Sequence, residues 1–334
     1  MYRVSIIIVN YNGKEFIGDC IEKLTKQTYR DFEIVIVDNC SGDDSLPFLK
    51  YYLNKIGLSG TARVIASDTN LGFAGGNLAG LRHAGGEYIA LLNADAVAEP
   101  LWLQGLVEAM DVHNEAGICA SRIMSYGSSV IDSAGDEFSK ALQGFKRGEG
   151  EAPGSYNSRE HVFGACACAA LYRREMLDEV GFFDEDFFLI HEDTDLNLRA
   201  QLAGWKVLYV PEAVVYHKVR SSIGHMSDAA VYYTIRNRDL LRIKDVPAGV
   251  FLRCLPEFVI GIIAEFVYFV LKYRKLRLYM RAKRDAIRML PDMKKKRSLI
   301  FKQRKVSNDY LMNVMAPLWK KGFINSKLKK MLHD

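Results

Sequence analysis

Cysteine is sparse in this chain, and its pattern excludes more than it suggests. The six cysteines are Cys20, Cys40, Cys119, Cys166, Cys168 and Cys254; they form no CxxC pair and no His-rich cluster. A zinc ribbon or a disulfide framework is therefore not expected, and buried reduced thiols are. Cys166 and Cys168 alternate along an apparent strand and would face the same side, but a spacing of two is a poor zinc signature. The phosphate-binding GxxxxGK[ST] loop and the dinucleotide GxGxxG pattern are both missing. So are a helix-turn-helix, a zinc module and an aromatic-interleaved single-strand platform, which leaves no nucleic-acid reading. Met1 is followed almost at once by a strand-like run rather than by a basic region and a long apolar segment, so a cytoplasmic protein is expected. There is no internal repeat and no low-complexity domain.

What is present is globular in character. The 334 residues are 49% hydrophobic and 25% charged, enough for one large or two modest domains with an ample core. The formal charge of +5 hides an asymmetry: Lys and Arg crowd the stretch from Lys272 to Lys330, whereas the first half is nearly balanced. Such a tail follows nucleic acid, anionic lipid or an anionic substrate, but alone it does not rescue a nucleic-acid reading.

YRVSIIIVNYN, FEIVIVDNCS, ARVIASDTN and EYIALLNAD each begin with a β-rich run and end in polar residues. Amphipathic helical patterns near 14–28, 43–56 and 73–84 separate them. This alternation predicts an α/β fold with a mostly parallel, Rossmann-like sheet flanked by helices. Ligands of such sheets bind beyond the carboxyl ends of the strands, where Asn10, Asp38, Asp68, Asn93 and Asp95 fall. A further helix is expected from Pro100 to Asn114, with Pro in its first turn. Residues 125–160 read as loops and an irregular lobe, and GWKVLYVPEAVVYH as strand, turn, strand.

Two acidic sites stand out. In LLNADA (91–96), Asn93 and Asp95 flank Ala94 and offer two oxygens on one side of a turn; alone this is an ordinary Asx turn, but oxygen ligands also suit Mg²⁺ or Mn²⁺. In HEDTDLNLR (191–199), Glu192, Asp193 and Asp195 put three carboxylates into four residues at a helix start. The helix dipole and capping explain part of that density, yet one acid aimed from a rigid helix end is what a general base requires. SDTNLGFAGGNLAG supplies Gly72, Gly75 and Gly76 for close backbone approach, with Asn70 and Asn77 as polar contacts. His217 ends a strand and precedes Lys218 and Arg220, so it reads as a metal ligand or a phosphate contact, or as a lone structural histidine. Of Arg236 and Arg238 in YYTIRNRDLL, one suits phosphate oxygens and the other suits Asp239 or an interdomain carboxylate.

Taken together, SIIIVNYNG, VIVDNCS, DTNLGFAGGNLAG, LLNADA, GFFDEDFFLIHEDTDLNLRAQLAGWKVLYVPEAVVYH and YYTIRNRDLL resemble an inverting family 2 glycosyltransferase of the GT-A fold, and within it the rhamnosyltransferase-like branch that builds bacterial surface polysaccharides. The resemblance spans about residues 3 to 242. It implies a nucleoside-diphosphate sugar donor, dTDP- or UDP-linked, and a saccharide or polyprenyl-linked acceptor. Asp38 would bind the nucleoside, with Asn10, Asn12, Asp68, Asn70 and Gly75 completing the donor pocket. Asp95 matches the metal-binding end of the family's DXD motif, with Asn93 in place of the first acid, and His217 matches a late metal-joining histidine. Asp193 would be the catalytic base and Glu192 would organise the acceptor. Lys218, Arg220 and Arg236 would contact acceptor or phosphate.

Donor expectations are rhamnose from dTDP-rhamnose first, with UDP-hexoses or UDP-galactofuranose as alternatives. A nucleotidyltransferase or a noncatalytic glycan-binding homologue is the competing reading. The expected division is a catalytic domain at 1–245 and a basic, partly apolar helical extension at 246–334. In that extension Arg253, Glu257 and Glu265 interrupt a run that might otherwise span a bilayer. Two readings stay open: a helix at an anionic membrane face with Tyr268, Tyr273 and Tyr279 near the interface, or a helix docked on its own domain or on a second subunit as a homodimer.

Overall fold

The computed structural model describes residues 2–218 and 226–318. Its first half alternates strands β1 (Val4–Asn10), β2 (Phe32–Asp38), β3 (Ala62–Ala66) and β4 (Tyr88–Leu92) with helices α1 (Lys14–Leu24), α2 (Ser45–Lys55) and α3 (Gly72–Leu81). Next come β5 (Ala96–Ala98), α4 (Trp102–Val112), β6 (Ala116–Ser125), β7 (Ile131–Ser133), β8 (Asp136–Phe138), β9 (Gly144–Lys146), β10 (Glu160–Val162), β11 (Ala169–Arg173) and α5 (Arg174–Val180). Then α6 (Glu192–Leu202) and β12 (Lys206–His217) lead into a helical region: α7 (Asp228–Asp245), α8 (Ala248–Arg253), α9 (Leu255–Phe266), α10 (Leu276–Arg288), α11 (Leu290–Lys302) and α12 (Asn308–Val314).

The main sheet runs β10-β12-β6-β11-β4-β1-β2-β3, with β5 on β12 and β7 on β6. Strands β3, β2, β1 and β4 are mutually parallel, as expected, but β11 is antiparallel to both β4 and β6, which makes the sheet mixed. Period-2 alternation explains the layers. On β1, Val4, Ile6 and Ile8 join one core with Ile17 and Ile21 of α1, Leu49 of α2 and Trp102 of α4, whereas Ile7 joins another with Ala74 of α3, Met176 of α5 and Leu196 of α6. Both faces are covered, so these strands read as near-continuous apolar runs.

Three expectations change. Lys206–His217 is one strand, with a register irregularity between Val210 and Val214 where Pro211 interrupts the pairing on β6. Within 125–160, residues 131–133, 136–138 and 144–146 form short strands, and Asp132 and Asp136 are buried. Cys166 and Cys168 sit ahead of β11 rather than along it.

A third core lies between α6 and the carboxyl-terminal helices. Leu198 and Leu202 pack there with Leu240, Leu241, Val250, Ala286 and Met293. Helix α6 is thus gripped on both sides, and two of its buried polar residues tie it to neighbouring backbone. Asn197 pairs in both directions with Ala165, at 3.1 and 3.0 Å, and Arg199 donates to the carbonyls of Val180, Gly181 and Phe182.

Candidate functional site

The residues expected on the donor side gather where β1, β2 and β4 end. Asn10 and Asp38 are register partners at the last residues of their strands; Asn10 Nδ2 donates to Asp38 Oδ1 at 3.1 Å, and the Ser41 amide donates to Asp38 Oδ2 at 3.2 Å. That leaves Asn10 Oδ1 buried without a partner, and Asn93 Oδ1 is in the same state. An orphaned buried oxygen costs about 1–3 kcal/mol, so a pair of them at strand ends marks a place built for a ligand. Asn12 adopts φ 52° and accepts the Gly42 amide at 2.8 Å, tying the β1 loop to the β2 loop.

Other donor candidates are spent on the scaffold. Asn70 Oδ1 accepts from Asn39 Nδ2 and from the Gly72 amide at 3.1 and 2.8 Å, so it shapes the α3 entrance, while the side chain of Asp68 is exposed above it. Asn39, overlooked in the sequence, completes that knot through the Leu71 amide and the Gly72 carbonyl. Gly75 lies inside α3, where a Cβ would come within 2.8 Å of the Leu71 side chain.

Asp95 lies beside His217, with Nε2 3.4 Å from Asp95 Oδ1. The other ring nitrogen, Nδ1, is 3.0 Å from Asp132 Oδ2, and Lys146 Nζ donates to both Asp132 oxygens at 2.7 and 2.8 Å. Burial pushes the imidazole down, but neighbouring Cys168, Asp132 and Asp95 overcome it and push His217 up to about 12. Asp132 is held down at about 2 against burial by His217 and Lys146. With Nδ1 held by Asp132, Nε2 would have to give up its proton before it could join Asp95 around a cation. A cleft of about 510 Å³ opens there, lined by Asp132, His217, Lys218 and Tyr126 among others.

The acids expected on the acceptor side stand at the start of α6. Asp193 accepts the Thr194 amide at 2.7 Å and the Ala167 amide at 3.3 Å. Burial raises its carboxyl above the ordinary range, countered by those amides, by the Thr194 hydroxyl and by Lys146. Burial and then Asp193 drive Glu192 well upward, and one Glu192 oxygen, Oε2, is buried without a partner. Side-chain atoms of Asp136, Cys166 and Asp193 lie within 4.8 Å of one another, and Lys146 stabilises charge on all of them. Lys146 thus links the two acidic sites electrostatically. Asp195 turns away into the core, paired with Arg199 at 2.7 Å and with Lys244.

The turn ahead of α6 is strained and stapled. Phe188, Ile190 and His191 all have positive φ, at 60°, 68° and 73°. Asn237 Nδ2 reaches the carbonyls of Phe187, Leu189 and Ile190 at 2.9, 2.8 and 2.6 Å, and Arg236 donates to those of Asp186 and Phe187 at 2.6 and 3.1 Å. Arg236, expected at phosphate, is therefore engaged with backbone in this structure. The Phe188 carbonyl also accepts the Ala74 amide at 3.1 Å, and Gly72, at φ 71°, leaves room where a Cβ would strike Phe188. Lys218 pairs with Asp19 at 3.1 Å and Arg238 with Glu265 at 3.2 Å. Arg220 lies outside the described residues.

A mixed sheet with ligand-seeking groups at its strand ends and an acidic helix start opposite them is the architecture of GT-A glycosyltransferases, and solved structures agree. TarS of Staphylococcus aureus, residues 1–349 in complex with UDP-GlcNAc, superposes with a TM-score of 0.59 at 17% identity, covering 94% of this chain and 92% of that one. GalNAc-T7 with UDP, GalNAc and Mn²⁺ gives 0.61 at 17% identity, covering 73% and 48%. The model of glycosyl transferase family 2 matches residues 5–181, and the chain belongs to that family. In sequence it is 28% identical over 229 residues to an uncharacterised glycosyltransferase of Nostoc sp., covering 68% of each protein. It is 27% identical over 238 residues to the amylovoran biosynthesis glycosyltransferase AmsB of Erwinia amylovora, covering 68% of this chain and 74% of that one. Against full-length TarS, a poly(ribitol-phosphate) β-N-acetylglucosaminyltransferase, identity is 25% over 235 residues, covering 69% of this chain but only 38% of that protein.

Proposed function

We propose that this glycosyltransferase moves a sugar, with inversion, from a nucleoside diphosphate to an acceptor hydroxyl in the assembly of a cell-surface polysaccharide. The observation that supports the reading is the linkage of two acidic sites through Lys146: Asp95 with His217 and Asp132 beyond β4, and Asp193 with Glu192 at the start of α6. Asp38 and Asn10 receive the nucleoside, the orphaned Asn10 oxygen awaiting a donor from it. Asp193, raised by burial but still held by two amides, takes the proton of the attacking hydroxyl. The new bond forms at the anomeric carbon as the bond to diphosphate breaks on the opposite face. Glu192, driven toward its neutral form, donates a hydrogen bond to the acceptor sugar. Mg²⁺ or Mn²⁺ held by Asp95 and His217 would offset charge on the departing diphosphate.

UDP-linked donors are favoured by the likeness to proteins solved with UDP and UDP-GlcNAc, while GDP-mannose in a solved mannosyltransferase keeps the base open. The branch resemblance keeps dTDP-rhamnose among the candidates. One assay tests the reading: nucleoside diphosphate release from a donor panel by chelator-treated enzyme, with a glycolipid acceptor and added Mg²⁺ or Mn²⁺. Transfer is expected to require the ion and to fall by at least a thousandfold in Asp193→Asn with donor affinity kept. Full activity without divalent ions would remove the metal, and near-normal transfer by Asp193→Asn would remove the base.

A further inference from the structure

Helix α9 is built inside out. Of its two carboxylates, Glu257 is half-buried and Glu265 is fully turned inward, its side chain 0% exposed and paired with Arg238 at 3.2 Å and Lys283 at 3.1 Å. Most of its apolar residues face the other way. Leu252, Leu255, Val259, Ile263, Phe266 and Leu271 are 39 to 67% exposed and recur at spacings of three, four, four, three and five along α8, α9 and the π-helical turn Val267–Lys272 that follows. A helix that packs on its own protein shows the reverse pattern. No described helix is long and apolar enough to cross a membrane.

The neighbouring helix α10 carries the complementary chemistry. Arg277, Arg281, Arg284 and Arg288 are exposed and recur at helical spacing, interleaved with exposed Leu276, Met280 and Ile287. Asp285 is the one acidic residue of this helix, and three of the arginines reach it at 3.2 to 3.8 Å. The face keeps a clear positive excess. A second copy seated through this same face would set arginines against arginines, whereas a leaflet of anionic lipid offers both negative headgroups and an apolar layer.

We infer that the exposed α9 stripe and the arginines of α10 form a peripheral docking surface for an anionic membrane, the apolar side chains entering the headgroup boundary and the arginines meeting phosphate. The tyrosines do not take the expected part: Tyr279 is buried at 6% exposure, and Tyr268 and Tyr273 are half-buried. This surface is independent of which sugar is transferred and does not use the acidic sites.

Flotation of the full-length protein with vesicles tests it directly. Vesicles of phosphatidylcholine with one part in three phosphatidylglycerol are compared with phosphatidylcholine alone, at low and high salt. Binding is expected on the anionic vesicles at low salt, weakened on the order of tenfold by Ile263→Glu and about fivefold by Arg284→Gln. Both sites are exposed, so thermal unfolding should stay unchanged; Leu271→Gln replaces Ile263→Glu if that variant fails to fold. No binding by the wild type at low salt overturns the inference, as does binding that ignores the stripe variants. A dimer that Ile263→Glu dissociates, with vesicles left unbound, makes the stripe a subunit interface and overturns it equally.

Discussion

Asn237 shows how much one side chain away from the chemistry can decide. An amide with two hydrogens holds three carbonyls of a turn in which Phe188, Ile190 and His191 have positive φ, and the helix bearing the proposed base begins where that turn ends. Each carbonyl released without a partner costs about 1–3 kcal/mol, more than enough to let the turn relax. Asn237→Ala is therefore expected to lower kcat on the order of a hundredfold while leaving KM for the donor within a few-fold, because a misplacement of about 1 Å is felt at the reacting atoms and not in the nucleoside pocket. A variant that lost stability but kept kcat would show the staple to be scaffold only. At this scale the sequence was partly transparent. Asp95, His217 and Asp193 could be picked out as candidates because they end apolar runs or open a helix. Asp132, Lys146 and Asp136 were not, because they lie in a polar stretch whose short strands leave little hydrophobic period. Asp132 meets its histidine across 85 residues, and no local spacing records such a contact.

Among elements, α7, α9 and α10 are joined by a buried charge cluster. Glu265 faces Arg238, Arg242 and Lys283, at 3.2, 3.9 and 3.1 Å. Burial pushes its carboxyl up, but the three cations overcome that and leave it below the ordinary 4.5. A depressed carboxylate contributes stability above its unfolded value, and that contribution is lost as pH falls through the folded one. Glu265→Gln should thus lower stability by about 3–5 kcal/mol at neutral pH, since it strands buried cations. In thermal unfolding followed by circular dichroism, the gap to wild type should close as the pH drops below the ordinary glutamate range. A gap that persisted unchanged there would mean that shape rather than charge was lost. Element positions in the first half followed from alternation and helical period. The antiparallel insertion of β11 did not, because strand direction is set by long-range pairing and not by pattern. The single long β12 was misread because Pro211 looks like a turn, yet it fits at an irregularity in the pairing.

For the molecule as a whole, the proposed boundary at residue 245 cuts through shared packing. Leu198 and Leu202 of α6 belong to the same core as Val250, Ala286, Met293 and Leu311. A chain ending at 245 would expose that face of the catalytic helix, and we expect it to bind a hydrophobic dye and to lose a sharp unfolding transition. Cooperative unfolding of residues 1–245 at a midpoint near the full chain's would show instead that the extension is a separate module. Composition revealed the change of character near this boundary. It did not reveal that the two parts share one core, since apolar residues at helical spacing look the same whichever partner they face.

The two-sided grip on α6 also orders events in time. The strands that end at Asn10 and Asp38 come early in the chain, whereas the outer wall of the helix bearing Asp193 starts with α7 and is finished only by residues of α10, α11 and α12. The start of α6 would thus be among the last parts of the molecule to settle as the chain is synthesised.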